Sequence, residues 1–417
     1  MSTSVRQRIQ AVAEDAKVTP LELFFDLVFV YALTQVTALM AFELSGRRVL
    51  EGMIVLALIW WCWVGYSWLG NVAQADEGWT RGAFIAVMAT MFVAALAIPE
   101  AFVDLPGGLN GPLVLAVCYG IVRFLHLAIF AVAGKAVDDP GLIHQLLRFG
   151  IVTGLSVALM IAGALVGGDA ELVLWLGAVA VDYVGTQVIG ASGWRLHSPA
   201  HFSERHGLII IIALGESIVA IGVGVTSAAI STQIIIAAVL GIALVATMWW
   251  PYFDVTALAA ERAFARREGV ERTRLARDAY SYLHLPMVAG IVLAALGLKK
   301  VLGYVAGDDG HDWGDSLHGI GLAALHVGPA LYLLSLVAFR FRNVRSLGRS
   351  RLITAAVLLA TIPLGGQIGA LPDLLLVTVI MAALITFEAV RYAEDRHRIR
   401  HLDGHAPTAH EEPAAAD

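Results

Sequence analysis

The sequence predicts an all-α polytopic membrane protein of about twelve transmembrane helices, arranged as two six-helix repeats with both termini in the cytoplasm. Three observations predict it. Apolar runs of about 20 residues recur along nearly the whole chain, each long enough to cross a hydrocarbon core of about 30 Å. Only 15% of residues are charged, against about 25% in a soluble domain. Lys and Arg fall almost wholly on alternate segments between the runs. Within lipid such runs must be helical, because strands of a barrel would alternate in polarity and these do not.

Residues 1–20 are polar, lack an apolar core followed by a cleavage site, and read as a cytoplasmic segment with no removable signal. The first half, 21–191, is expected to hold spans at 21–43, 49–72, 81–103, 110–133, 142–166 and 170–191. The second half, 205–392, is expected to hold spans at 205–226, 231–253, 278–300, 316–339, 351–369 and 372–392. The tail 393–417 carries His397, His401, His405 and His410 among Pro, Ala and acids and reads as disordered. From Ala259 to Arg277 the chain is basic and amphipathic, either a helix lying on anionic lipid or the charged loop that fixes topology.

Orientation rests on 28 Lys and Arg residues. With the N-terminus inside, the cytoplasmic segments collect all but five of them, including six from Arg262 to Arg277 and five from Arg340 to Arg351. The outside loops keep Arg47, Arg48, Lys299 and Lys300, and Arg123 falls within the fourth span.

Internal repetition is read from matches in the same order in both halves. Phe25-Asp26 through Gln35 corresponds to His206-Gly207 through Glu216; Trp60-Trp61 corresponds to Trp249-Trp250; Arg81-x-Ala-Phe84 corresponds to Arg277-x-Ala-Tyr280. Six is even, so the halves would share one orientation about an axis along the membrane normal.

Longer stretches carry a family resemblance. Val18-Thr-Pro-Leu-Glu-Leu-Phe-Phe-Asp26 running on to Gln35, Glu204-Arg-His-Gly207 with Ala213-Leu-Gly-Glu-Ser-Ile-Val219, Trp249-Trp-Pro-Tyr-Phe-Asp254, and Tyr280-Ser-Tyr-Leu-His-Leu-Pro-Met287 resemble the bacterial low temperature requirement A family across nearly the whole chain. The resemblance implies a multi-pass plasma membrane protein connected with growth in the cold. Phe25-Asp26 followed by Thr34 is also similar to the first-helix signature of the endolysosomal potassium channels, which have two six-helix repeats; the second half departs from that pattern with His206-Gly207.

Chemistry is sought among polar groups within the spans, each costing about 2.5–3.5 kcal/mol when charged at mid-depth. Asp182 and Glu216 lie 11 or 12 residues into their expected spans, roughly 17 Å at helical rise, and Arg123 lies at similar depth. Arg123 is expected to contact a carboxylate, Asp182 first and Glu216 second. The pair is either helix glue or part of a site. Glu216, beside Gly215 and Ser217 and before Gly222 and Gly224, is either a protonatable or cation-binding group or a participant in close glycine packing. Gln35 holds its repeat position, opposite it across the pseudo-axis. Glu22 and Asp26 share one face of the first helix, where they cap it or pair with Arg195 and Arg205. His126 follows Arg123 on the same face, while His206, His284 and His326 also fall in or beside spans; a membrane histidine is more often a hydrogen-bonded packing residue than a ligand.

Other classes lack a signal. There is no Gly-x-Ser-x-Gly elbow, Walker loop or His-Glu-x-x-His helix, so no catalytic residue is assigned. Cys62 and Cys118 lie inside spans and imply neither a disulfide framework nor a metal site. Trp60, Trp61, Trp63, Trp249, Trp250 and Tyr252 read as an interfacial aromatic belt or as stacking groups for a substrate. No cofactor and no nucleic-acid partner is expected; membrane lipids, an unidentified small molecule or ion, and a second copy of the chain are. Transporter, cation channel and cold-adaptive lipid sensor remain the competing functions.

Overall fold

The computed structural model describes residues 17–72, 78–137, 140–191, 194, 196–225, 228–307 and 310–393. The expectations for the N-terminal segment before residue 17, for Arg195 and for the tail from 394 fall outside the described residues. The described chain is all helical, and eleven of its helices are long and apolar enough to cross a membrane.

In the first half these are α1 (Pro20–Phe42), α2 (Gly46–Gly70), α3 (Gly78–Ala97), α4 (Gly111–Val137), α5 (Pro140–Val166) and α6 (Gly168–Ile189). Their starts follow from local chemistry. Thr19 and Glu22 form a reciprocal capping box with Pro20 in the first turn of α1, and the Ser45 hydroxyl accepts from the Arg48 amide at the head of α2. In the second half, α7 (Pro199–Val223) starts six residues before the expected boundary at 205. Ser198 caps it through the His201 amide and Pro199 occupies its first turn. Arg205 therefore lies inside a helix, fully buried, and is not the cytoplasmic surface charge the sequence reading counted.

Of the two readings for Ala259–Arg277, helix and charged loop, the structure takes the helix, interrupted at residues 266–268. α8 (Thr232–Pro251) passes through a wide π-helical turn at Tyr252–Thr256 into α9 (Ala257–Ala265), and α10 (Gly269–Leu275) passes through a second one at Ala276–Tyr282 into α11 (His284–Ala306). Pro251, which lacks the amide hydrogen that would continue the ladder, precedes the first. The result is a helical hairpin turning at residues 266–268, with Phe264 and Leu275 buried.

α12 (Gly319–Val344) is continuous, but the span expected at 351–369 is broken: α13 (Arg349–Ala360) stops at Thr361, and a single turn, α14 (Ile362–Gly365), follows. Pro363 at its start cannot donate to the preceding turn. α15 (Ala370–Arg391) completes the chain.

The neighbours of most helices correspond between the two halves, although α2 also packs on α4 and α8 on α11 without a matching contact in the other half. α1 packs on α2 and α3, α3 on α4, α4 on α5, α5 on α6, and α2 on α6; α7 packs on α8 and α11, α11 on α12, α12 on α13, α13 on α15, and α8 on α15. The closest approach is between α11 and α12. A Cβ at Gly290 would fall 2.7 Å from the Gly328 carbonyl, and one at Gly297 would fall 2.6 Å from the Leu325 backbone, so only glycine lets the two backbones meet. The halves join through α1 against α7 and α11, with α2 alongside. Stripes of apolar side chains, such as Leu147, Ile151 and Leu155 on α5 and Val184 and Val188 on α6, are exposed, as a lipid-facing surface requires.

The aromatic groups divide. Trp60, Trp61 and Trp63 are buried rather than belt residues: the Trp60 indole donates to the Ser281 carbonyl at 2.8 Å, and Trp61 packs on Tyr183. An indole N–H needs an acceptor when buried, and the facing half supplies it. Trp249 is 42% exposed and fits the belt reading.

Candidate functional site

The expected polar residues separate into three places. The first is the α1–α7 interface. Arg205 forks between two carboxylates of α1, donating to Glu22 at 2.9 Å and to Asp26 at 2.7 Å. His201, one turn earlier on α7, meets the other oxygen of Glu22 at 3.0 Å, and the Trp63 indole donates to Asp26 at 2.8 Å. All five side chains are buried. The guanidinium also lies over the rings of Phe25 and Trp63. The pairs Glu22–His201 and Asp26–Arg205 are both 179 residues apart, so α1 and α7 run parallel and in register. One cation facing two acids leaves the cluster short of positive charge, and Asp26 Oδ2 has no partner.

His206 sits beside this network in an aromatic cage of Trp63, Phe202, Tyr280 and His284, its Nδ1 donating to the Phe202 carbonyl at 2.8 Å. That bond is an intrahelical one four residues back. It makes His206 a packing residue with one ring nitrogen, Nε2, unpartnered.

Further along the same interface is Glu216. It is fully buried, and neither carboxylate oxygen has a hydrogen-bond partner. Thr37 of α1 faces it, but its hydroxyl is given to the Leu33 carbonyl at 3.2 Å. Gln35, the expected counterpart, is half-buried, and it is Thr37 that comes opposite. The neighbouring Ser217 hydroxyl is likewise buried and unpartnered. Because α7 starts earlier than expected, Glu216 lies past its middle, on the side of its C-terminal end at Val223. Beyond it, where α1, α7 and α11 end, is a half-open cavity of about 340 Å³ lined by Ala41, Val223, Lys299, Lys300 and Tyr304; Glu216 is not in its lining, but Lys299 is close enough to act on the carboxylate.

The third place is the interior of the first half. Arg123 of α4 contacts Asp182 of α6 at 3.0 Å, the partner expected first; Glu216 belongs to another interface. The Asp182 carboxylate also accepts from the Tyr119 hydroxyl and from Ser156 at 2.8 Å, while Thr153 of α5 takes a second Arg123 contact at 3.2 Å. Three helices are thus tied by one neutral, well-bonded pair. His126 and Arg123 line a small cavity with Trp61, Trp68 and Trp194.

The pairing of Glu22 and Asp26 with Arg205 is one of the two sequence readings for these acids; two features escaped those readings. The burial of Arg205 is legible only if Ser198-Pro199 is taken as cap and first turn, which carries the arginine into the apolar helix. His326 was weighed alone, whereas it meets Asp373 of α15 at 3.0 Å; Asp373, one turn into a helix, has the sequence signature of an ordinary capping acid. Among the described residues no three of His, Cys, Asp and Glu gather as a metal-ligand set.

Comparison with known families matches residues 17–386 to the bacterial low temperature requirement A protein family. Among curated proteins, an uncharacterized protein of Rhizobium meliloti (strain 1021) is 28% identical over 352 residues, 82% of each chain. No solved structure matches.

Proposed function

The chain belongs to the bacterial low temperature requirement A family, and from that membership we propose that it is a multi-pass plasma membrane transporter whose coupling cation or proton binds at Glu216. The observation that carries the reading is the carboxylate itself: fully buried, without a hydrogen bond to either oxygen, and within electrostatic reach of Lys299, which lines a cavity of about 340 Å³. A bare charge there is costly, so the group is waiting for a proton or a cation. Along the same helix pair the Glu22–Asp26–Arg205 network closes the interface, which gives an open end and a sealed end as alternating access requires. Arg123 and Asp182 hold the first half together rather than bind substrate.

The repeat is part of the proposal. The matching neighbour pattern and the parallel register of α1 and α7 both support two six-helix halves, 21–191 and 205–392, with the broken α13–α14 as the twelfth segment. The Lys and Arg bias still supports a cytoplasmic N- and C-terminus after Arg205 is withdrawn from the count. With the native Cys62 and Cys118 both buried, a cysteine at Arg267 in the hairpin is expected to react with an impermeant maleimide only after permeabilisation, and one at the 79%-exposed Leu109 in intact cells. Labelling of the hairpin in intact cells would reverse the orientation.

Glu216→Gln tests the site. It keeps size and hydrogen bonding but not the change of charge. In proteoliposomes, proton flux read with an internal pH dye and uptake of labelled sodium or rubidium are expected to fall by at least about tenfold, with thermal stability retained. Equal flux across pH rejects the site. Unitary currents in a planar bilayer would favour the channel reading, and transport that saturates favours the carrier.

A further inference from the structure

We propose that the half-open cavity where α1, α7 and α11 end is the outer entry of the transport site, and that the substrate it takes is a small oxyanion, a carboxylate or phosphate, held by Lys299 and Lys300. The face assigned to the outside keeps four Lys and Arg residues, and two of them are already engaged. Arg47 contacts Asp169 and, at 2.8 Å, Glu51; Arg48 contacts Glu51 at 2.8 Å and Glu43 at 3.7 Å. Lys299 and Lys300 make no ion pair with a described carboxylate, yet both are half-buried and both line the cavity.

The cavity has the size and the walls for a small molecule. Its volume of about 340 Å³ falls within the range of ligand pockets, roughly 300–1,000 Å³. Tyr304, stacked on His311 at 3.9 Å, forms an aromatic wall, and Phe42 and Val223 add apolar surface for a carbon body. No acid among the described residues lines it, and Asp315, at 3.6 Å from His311, faces that ring. Two ammonium groups, each a compact charge with three rotatable donors, suit an anionic oxygen group and repel a cation.

Charge makes entry depend on Glu216, and for that dependence alone the inference rests on the coupling reading. The C-terminal ends of α1 and α7, at Phe42 and Val223, each bring about −0.5 elementary charge to the cavity. Two lysines against two helix ends leave about +1. Glu216 lies within reach of Lys299 and cancels that surplus while its carboxylate is bare. Once the coupling ion fills Glu216 the surplus returns, and an anion is drawn in. Lys299 is the group the two sites share, and its backbone is fixed against the end of α7: a Cβ at Gly224 would fall 3.3 Å from the Lys299 carbonyl and 2.9 Å from the Leu302 side chain. Cation and anion therefore load together, which makes the carrier a symporter.

The test is binding rather than flux, so it stands apart from the experiment on Glu216. The purified full-length chain in an uncharged detergent is titrated calorimetrically with inorganic phosphate and with succinate. One of the two is expected to bind. Lys299→Gln and Lys300→Gln are each expected to weaken it by about tenfold or more, with thermal stability kept, and if one fails to fold the other carries the test. Glu216→Gln, whose uncharged amide stands for the filled group, is expected to tighten binding by about the same factor. Lysine-dependent binding that is indifferent to Glu216→Gln keeps the anion site and rejects Glu216 as its coupling partner. Phospholipid that co-purifies is identified by mass spectrometry: phosphatidylglycerol held by the parent and lost from the double variant Lys299→Gln with Lys300→Gln, without heat from either free anion, keeps the oxyanion chemistry and assigns it to a lipid headgroup. The proposal is overturned if phosphate, succinate and phosphatidylglycerol all fail to bind both the parent and Glu216→Gln, or if binding survives the loss of both lysines; neither result bears on the cation flux that tests Glu216.

Discussion

Arg205→Leu is expected to destabilise the chain by about 3–5 kcal/mol, the range for removing one partner of a buried ion pair. It takes the only guanidinium from the Glu22–Asp26 cluster and leaves two acids facing one another inside the protein. Glu22 keeps His201 and the Thr19 amide and hydroxyl, and Asp26 keeps the Trp63 indole, but none of these replaces the lost countercharge. Lysine should recover only part of the loss. The native contact uses two separate nitrogens, 2.9 and 2.7 Å from oxygens on different residues, and an ammonium has no planar fork to span them. Adding Asp26→Asn to Arg205→Leu is expected to restore stability, since one of the stranded charges is gone. Unfolding in detergent by heat or denaturant measures all three. A leucine variant as stable as the parent would mean that water reaches the cluster.

The contrast between Arg205 and Arg123 shows what the sequence discloses. Arg123 stands in the middle of an apolar run, so its burial and its need for an acid follow from position alone, and Asp182 at matching depth is the natural partner. Arg205 stands next to Glu204 and His206 at the margin of a run, where the sequence allows a surface loop as readily as a helix interior. A cap and a proline decide between them, and such signals are local while the apolar run that draws the eye begins later. The arginine hairpin is legible in part, as the basic amphipathic helix read for Ala259–Arg277; its continuity with α8 and α11 through two π-helical turns has no apolar signature.

Glu216 shows a different limit. Its type and surroundings mark it as unusual in the sequence, yet its depth and its facing residue both depend on where α7 starts and on the register with α1. Repeat correspondence pointed to Gln35, whereas packing brings Thr37 opposite. Equivalent positions in two repeats occupy the same depth without necessarily touching. The contact of His326 with Asp373 was out of reach for a further reason: Asp373 looks like an ordinary acid in the first turn of α15, and no side-chain pattern links that turn to α12.

Arg123→Leu is expected to cost a similar amount, about 3–5 kcal/mol, but with a different outcome on rescue. The mutation leaves Asp182 ionised in the interior with only the Tyr119 and Ser156 hydroxyls for partners. Asp182→Leu alone strands the guanidinium beside Thr153 and is expected to be as harmful. Together, Arg123→Leu and Asp182→Leu remove both charges, and apolar replacement of a whole buried pair is often neutral or stabilising by about 1–4 kcal/mol. The double variant should therefore recover most of the stability lost by either single change, with a coupling energy of several kcal/mol in the double-mutant cycle. Flux separates structure from transport. If the pair only ties α4, α5 and α6 together, the double variant should move protons and cations like the parent in the liposomes that expose the loss in Glu216→Gln. A double variant that is stable but inactive would place Arg123 and Asp182 in the path, and the coupling site would then have to extend from the α1–α7 interface into the first half.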